Sequence, residues 1–96
     1  MRFKFAFFLH FISWKDVRYI VRSKIRKAVL LELKTPKTPT MLAKALKTSL
    51  PNISRALTQL ENKGFVTCLT PEEKVGKIYS LTNKGKEASK KIAEMG

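Results

Sequence analysis

A mainly helical α+β domain carrying one two-stranded β-hairpin is predicted by three observations. Apolar residues recur at three- and four-residue steps over most of the chain beyond residue 13. Hydroxyl residues stand where helix amino ends need a cap, at Ser13, Thr38, Ser49 and Thr82. Between residues 65 and 81 the period changes to short β-prone runs on either side of a polar turn.

Each element follows from local chemistry. Ser13-Trp14-Lys15-Asp16 places a carboxylate three residues after a hydroxyl, a near relative of the capping box, so a first helix begins at Trp14. Trp14, Val17, Val21, Ile25, Ala28, Val29 and Leu33 form its apolar stripe and carry it to about Lys34; Ser23 is able to interrupt it and start a second helix. Thr35-Pro36-Lys37-Thr38-Pro39 is a connector, because proline lacks an amide donor and restricts the residue before it. Thr38 and Pro39 open a second, short helix over 39–47 with Met41, Leu42, Ala45 and Leu46 as its apolar face. Ser49 caps a third helix over 50–63, which Gly64 ends in the position that accepts a left-handed backbone. The runs 65–69 and 78–81 make the hairpin around the turn 70–77, and Thr82 caps a last helix with Ala88, Ile92 and Met95 on its dry side. Helix, short helix, tight turn, helix, hairpin, helix is the order of a winged helix-turn-helix domain, with 39–63 as the two-helix unit and 70–77 as the wing.

Composition bounds what such a domain can do. The chain has 96 residues, room for one domain. Twenty Lys and Arg against seven Asp and Glu give a net charge of +13, which attracts polyanions and points to nucleic acid or an anionic membrane. A single cysteine, Cys68, and a single histidine, His10, leave no intrachain disulfide and no Cys/His set for zinc. No cofactor is implied, and no nucleophile with a base, phosphate-cradling loop or carboxylate pair argues for an enzyme. Cys68 reads as a small buried side chain on a strand and Tyr79 as hairpin packing.

Residues 1–12 differ from the rest, holding five of the six phenylalanines. The run is too short to span a bilayer, which takes about 20 apolar residues. Arg2 and Lys4 ahead of it resemble a signal sequence, but no small-residue cleavage site follows. So many phenylalanines need cover, and a dimer contact is the expectation; a start codon assigned too far upstream is the alternative. The domain is therefore expected over 13–96.

Around the third helix, in steps of about 100°, Ile53, Ala56, Leu57 and Leu60 share one side. Pro51, Arg55, Thr58 and Asn62 lie opposite, with Asn52, Ser54 and Gln59 on the flanks. A solvated helix in so basic a chain would carry Lys and Glu there. Donors and acceptors with almost no charge suit base edges, which Arg, Asn, Gln, Ser and Thr can read. Pro51, Asn52, Ser54, Arg55, Thr58 and Gln59 are accordingly the candidate base readers. Lys44, Lys47, Ser49 and Asn62, with Lys74 and Lys77 of the wing, are the candidate backbone contacts.

The runs 38–46, 49–57 and 60–66, with Tyr79-Ser80-Leu81-Thr82-Asn83-Lys84-Gly85, resemble prokaryotic winged-helix regulators of the MarR and ArsR type over about residues 23–90. That resemblance implies sequence-dependent binding of double-stranded DNA by a cytoplasmic homodimer that controls transcription. It implies no metal here, because metal-sensing branches use Cys and His clusters that the chain lacks, and it leaves a small-molecule effector open. Competing expectations are a basic RNA-binding or architectural module and, in another class, a membrane-surface protein anchored by residues 1–12.

Overall fold

The computed structural model describes residues 13–95. The Phe-rich segment 1–12, with its expected dimer contact, lies outside the described residues. Five helices and a hairpin follow in the order α1 (Trp14–Val21), α2 (Lys24–Glu32), α3 (Pro39–Leu46), α4 (Leu50–Asn62), β1 (Val66–Cys68), β2 (Tyr79–Leu81) and α5 (Asn83–Met95). The predicted second and third helices are α3 and α4.

The first predicted helix is two. Ser23 leaves the helical region at φ −116° and ψ 120°, and its hydroxyl accepts from the Arg26 amide to cap α2. A serine oxygen competes for backbone amides and so favours a cap over a helix interior. This break re-aims the apolar stripe. Val17, Val29 and Leu33 are buried as expected, but Ile20 and Leu30 join them, while Val21 and Ile25 are only half-buried and Trp14 is 64% exposed. In α3, Leu42 alone is buried, and Met41 and Ala45 face outward, because a two-turn helix wedged against α2 and α4 has only a narrow inner side. On α5, Ala88 and Ile92 are buried and Met95 is exposed.

Capping is otherwise as predicted. The Ser13 and Asp16 side chains exchange bonds with each other's amides, and Thr38 and Ser49 accept from Met41 and Asn52. Lys47, at φ 53° and ψ 49°, makes the tight turn between α3 and α4 in the left-handed region. Glycine would be the less strained residue there.

Val66, Thr67 and Cys68 pair antiparallel with Leu81, Ser80 and Tyr79. A third extended segment is added from the connector: Lys37 and Tyr79 exchange both backbone bonds, at 3.0 and 2.9 Å. The Lys37 ammonium donates to the Glu32 carbonyl at the end of α2 and to the Thr35 hydroxyl, which anchors the connector.

The hairpin is locked to the helices where α4 ends and α5 begins. Gly64 turns left-handed at φ 83°, as α4 requires, and Phe65 then donates back to the Leu60 carbonyl. The Thr82 hydroxyl donates to the Gly64 carbonyl at 2.6 Å and accepts from the Gly85 amide at 3.0 Å. Gly85 is buried so closely on the backbone just before β1 that a Cβ would overlap the Phe65 carbonyl oxygen. Gly85→Ala should therefore lower stability by about 3 kcal/mol, measured as a fall in the urea midpoint. An unchanged midpoint would show that the α5 amino end moves freely on the hairpin.

Candidate nucleic-acid interface

The two-helix unit is built so that α4 has one face inside and one outside. Ile53, Ala56, Leu57 and Leu60 are all buried, and Pro51, Ser54, Arg55, Thr58 and Asn62 are all exposed. The wheel derived from the sequence is the wheel observed.

The two flanks of α4 meet different neighbours. On one side, Leu50 and Ser54 share a groove of about 300 Å³ with Pro39 and Thr40 of α3, with Lys74, Val75, Gly76 and Lys77 of the wing and with Tyr79 of β2. This places both wing lysines beside the first turns of α4. Gly76 bends the wing at φ 72°, and Val75 at its tip is 85% exposed. On the other side, Asn52, Arg55 and Gln59 border a groove of about 170 Å³ with Ser23, Ile25 and Arg26 of the α1–α2 junction. Lys44 and Lys47 are exposed around the turn that precedes α4, and Ser49 is exposed as its cap. Asn62 sits apart from these, at the far end of α4, about three and a half turns from Ser49.

The side chains on the inner flank are held. The Asn52 amide donates to the Thr48 hydroxyl at 3.0 Å, while its oxygen accepts from an Arg55 Nη1 at 3.3 Å. Asn52 therefore ties the turn to Arg55, and Arg55 keeps its remaining donors. Arg26 donates through Nη1 to the Gln59 Oε1 at 3.1 Å and through Nε and Nη2 to the Tyr19 carbonyl, with its guanidinium 4.0 Å from the centre of the Tyr19 ring. A guanidinium has no acceptor, so the bond fixes Gln59 with its oxygen inward and its NH2 free.

Tyr79, whose phenol is pushed above its usual value of 10.0 by burial and then by Cys68 and Glu61, packs against the core from β2 as expected. Cys68, expected to be buried, is only half-buried, because it is the last residue of the short β1, where the hairpin leaves the core. Among the described residues, no three His, Cys, Asp or Glu side chains cluster as metal ligands, and no helix is long and apolar enough to cross a membrane.

Sequence reasoning missed Tyr19, Arg26, Thr48 and Lys63 as neighbours of this surface. The available signal was Ser23 followed three residues later by Arg26, since a cap at Ser23 turns Arg26 back toward α1.

The family model for the N-terminal domain of the methanogenesis regulatory protein FilR1 matches residues 14–95, nearly all of the described chain. The chain belongs to the FilR1 N-terminal domain family. Its winged helix is also that of the MarR-type regulators. MarR from E. coli, in its reduced form, superposes with a TM-score of 0.68 at 29% identity over 76% of this chain and 56% of that one. ZitR of Lactococcus lactis (C30AH42A mutant) gives 0.68 at 23% identity over 75% and 51%. The adhesin competence repressor AdcR of Streptococcus pyogenes gives 0.68 at 20% identity over 76% and 56%. The chain thus spans about half the length of these solved structures. No curated protein sequence matches it.

In this FilR1-type domain the Arg26 clamp should be worth measuring by itself. Arg26→Met keeps much of the stem but removes three hydrogen bonds and the cation over Tyr19. Urea unfolding should show a loss of about 1–3 kcal/mol. No loss would mean that α1 is held by its other contacts alone.

Proposed function

We propose that the chain is the DNA-reading domain of a transcriptional regulator, acting as a homodimer in the cytoplasm. In this reading α4 enters the major groove of double-stranded DNA and the wing lies on the adjacent backbone or minor groove. One observation carries it: the outer face of α4 presents Ser54, Arg55, Thr58 and Asn62 to solvent beside Pro51, polar side chains with a single charge, in a chain of net charge +13. A face that served only solubility or general attraction to polyanions would carry lysine. The MarR-type fold and the regulatory family of the chain support the same reading. A twofold dimer would read half-sites about 34–36 Å apart, which one small head cannot do.

Pro51, Asn52, Ser54, Arg55, Thr58 and Gln59 would face base edges, and Lys44, Lys47, Ser49, Asn62, Lys74 and Lys77 would hold backbone. Selection of bound fragments from random duplexes tests the whole proposal. A defined motif is expected, and uniform recovery of all duplexes, or a preference for single-stranded RNA, would overturn it. On the selected site Arg55→Ala should cost about 1–3 kcal/mol and relax one base pair, because Arg can pair with both acceptors of guanine. Lys77→Ala should instead weaken every duplex alike and lower the salt slope by about one.

Gln59 allows a sharper test. Held by Arg26, its oxygen is already engaged and its NH2 keeps both donors, so it suits guanine or thymine O4 better than the paired donor and acceptor of adenine. Gln59→Glu preserves the Arg26 bond and replaces those donors with an acceptor. Repeating the selection should move the preference at one position toward cytosine, whose N4 donates. An unchanged motif would remove Gln59 from the reading set.

A further inference from the structure

α1 carries a second surface that the α4 reading does not use. Lys15, Arg18 and Arg22 recur at three- and four-residue steps, which stacks them on one face beside Tyr19. With Lys63 from the end of α4 they line a hollow of about 320 Å³. Four cations and a phenol form its walls, and no carboxylate is among them. The one acid of α1, Asp16, is turned away and lies 3.9 Å from the Lys84 ammonium on α5.

Such crowding of like charge is unfavourable unless an anion relieves it. A merely solvated helix would interleave acids at these spacings. The surface is also continuous with the groove beside α4. Tyr19 has the Arg26 guanidinium 4.0 Å from its ring centre and the Lys63 Nζ at 4.8 Å, and Arg26 in turn bonds Gln59. Arg26, which lines the groove beside α4, and Tyr19, which lines the hollow on α1, thus stand in contact between the two. From Lys15 to Arg22 the helix advances about 10 Å, a length over which one strand of a duplex presents several phosphates at about 3.4 Å along its axis.

From this we infer that the face of α1 formed by Lys15, Arg18 and Arg22, with Lys63, is a second DNA contact that grips the phosphate backbone flanking the stretch addressed by α4. It rests on the proposal that α4 reads duplex DNA. It lengthens the footprint and adds affinity and salt dependence, but no base discrimination.

The test uses the full chain and its Lys15→Gln/Arg18→Gln/Arg22→Gln variant, all three being exposed positions. Fluorescence anisotropy is recorded against salt on two duplexes with the same selected site, one ending at the site and one extended by about one helical turn on each side. On the long duplex the variant should show a log affinity against log salt slope shallower by about 2.5–3, and on the short duplex the slopes should coincide. Equal slopes on both lengths, or the same loss on both, would overturn the flank contact. Pyrophosphate that displaces the long duplex from wild type but not from the variant, at concentrations too low to screen charge, would assign the hollow to a small anion instead. The α4 reading is tested separately by discrimination between matched and mismatched short duplexes. Its loss in wild type overturns that reading, whatever the length dependence. Circular dichroism melting of the variant at the wild-type temperature confirms that only charge was changed.

Discussion

Arg26 is the side chain on which the geometry of this surface depends. Breaking the first helix at Ser23 leaves carbonyls at the end of α1 without helical partners, as every helix end does. The Tyr19 carbonyl is one of them, and Arg26 supplies two donors to it. Its third donor reaches Gln59 of α4, and its plane covers the Tyr19 ring. One cation thereby completes the cap of α1, fixes α1 against α4 and sets the orientation of a side chain on the proposed reading face. A lysine there has the charge but not the planar fork that reaches two partners at once.

The other side of α4 is positioned by backbone rather than by charge. Gly64 reverses the chain, Thr82 bonds both the Gly64 carbonyl and the Gly85 amide, and Gly85 lets α5 rest directly on the Phe65 backbone. Lys84 adds a bond to the Lys63 carbonyl and sits over the Phe65 ring. Because β1 starts within this knot and β2 ends in it, the wing leaves the core in a set direction. The Lys37 bridge to Tyr79 adds a second support from the α2–α3 connector. Wing and α4 are thus held by independent contacts on either side of the groove between them.

Much of this was legible in the sequence, and the reason is that caps and periods are local. Ser13, Thr38, Ser49, Thr82 and Gly64 each mark a boundary within three or four residues of the groups they satisfy, and the two faces of α4 follow from 100° steps. What was not legible depends on contacts far along the chain. Ser23 was visible as a possible break, but a break has consequences only in three dimensions: it exposes Trp14 and brings in Ile20 and Leu30. Arg26 and Gln59 are 33 positions apart, and nothing in the pattern of either run pairs them. The Lys37 bridge was hidden by its prolines, which argue correctly against a helix but do not forbid a single extended pair. Of the candidate site, the exposed face of α4 was readable, and the hydrogen bonds that already occupy Asn52 and Gln59 were not.

In the proposed reading those bonds matter because charge and specificity would be supplied by different parts of the molecule. A net charge of +13 raises affinity for any polyanion and cannot distinguish one duplex from another. Discrimination needs side chains whose donors and acceptors are fixed before contact, since a freely rotating amide suits either partner. Asn52 and Gln59 are fixed in that way, by Thr48 and Arg55 in one case and by Arg26 in the other. The cations of the α1 face bear no such constraint and are exposed at the surface. The division follows from solvent: screened long-range attraction tolerates mobile side chains, whereas a short hydrogen bond to a base edge loses its selectivity as soon as the donor can turn away.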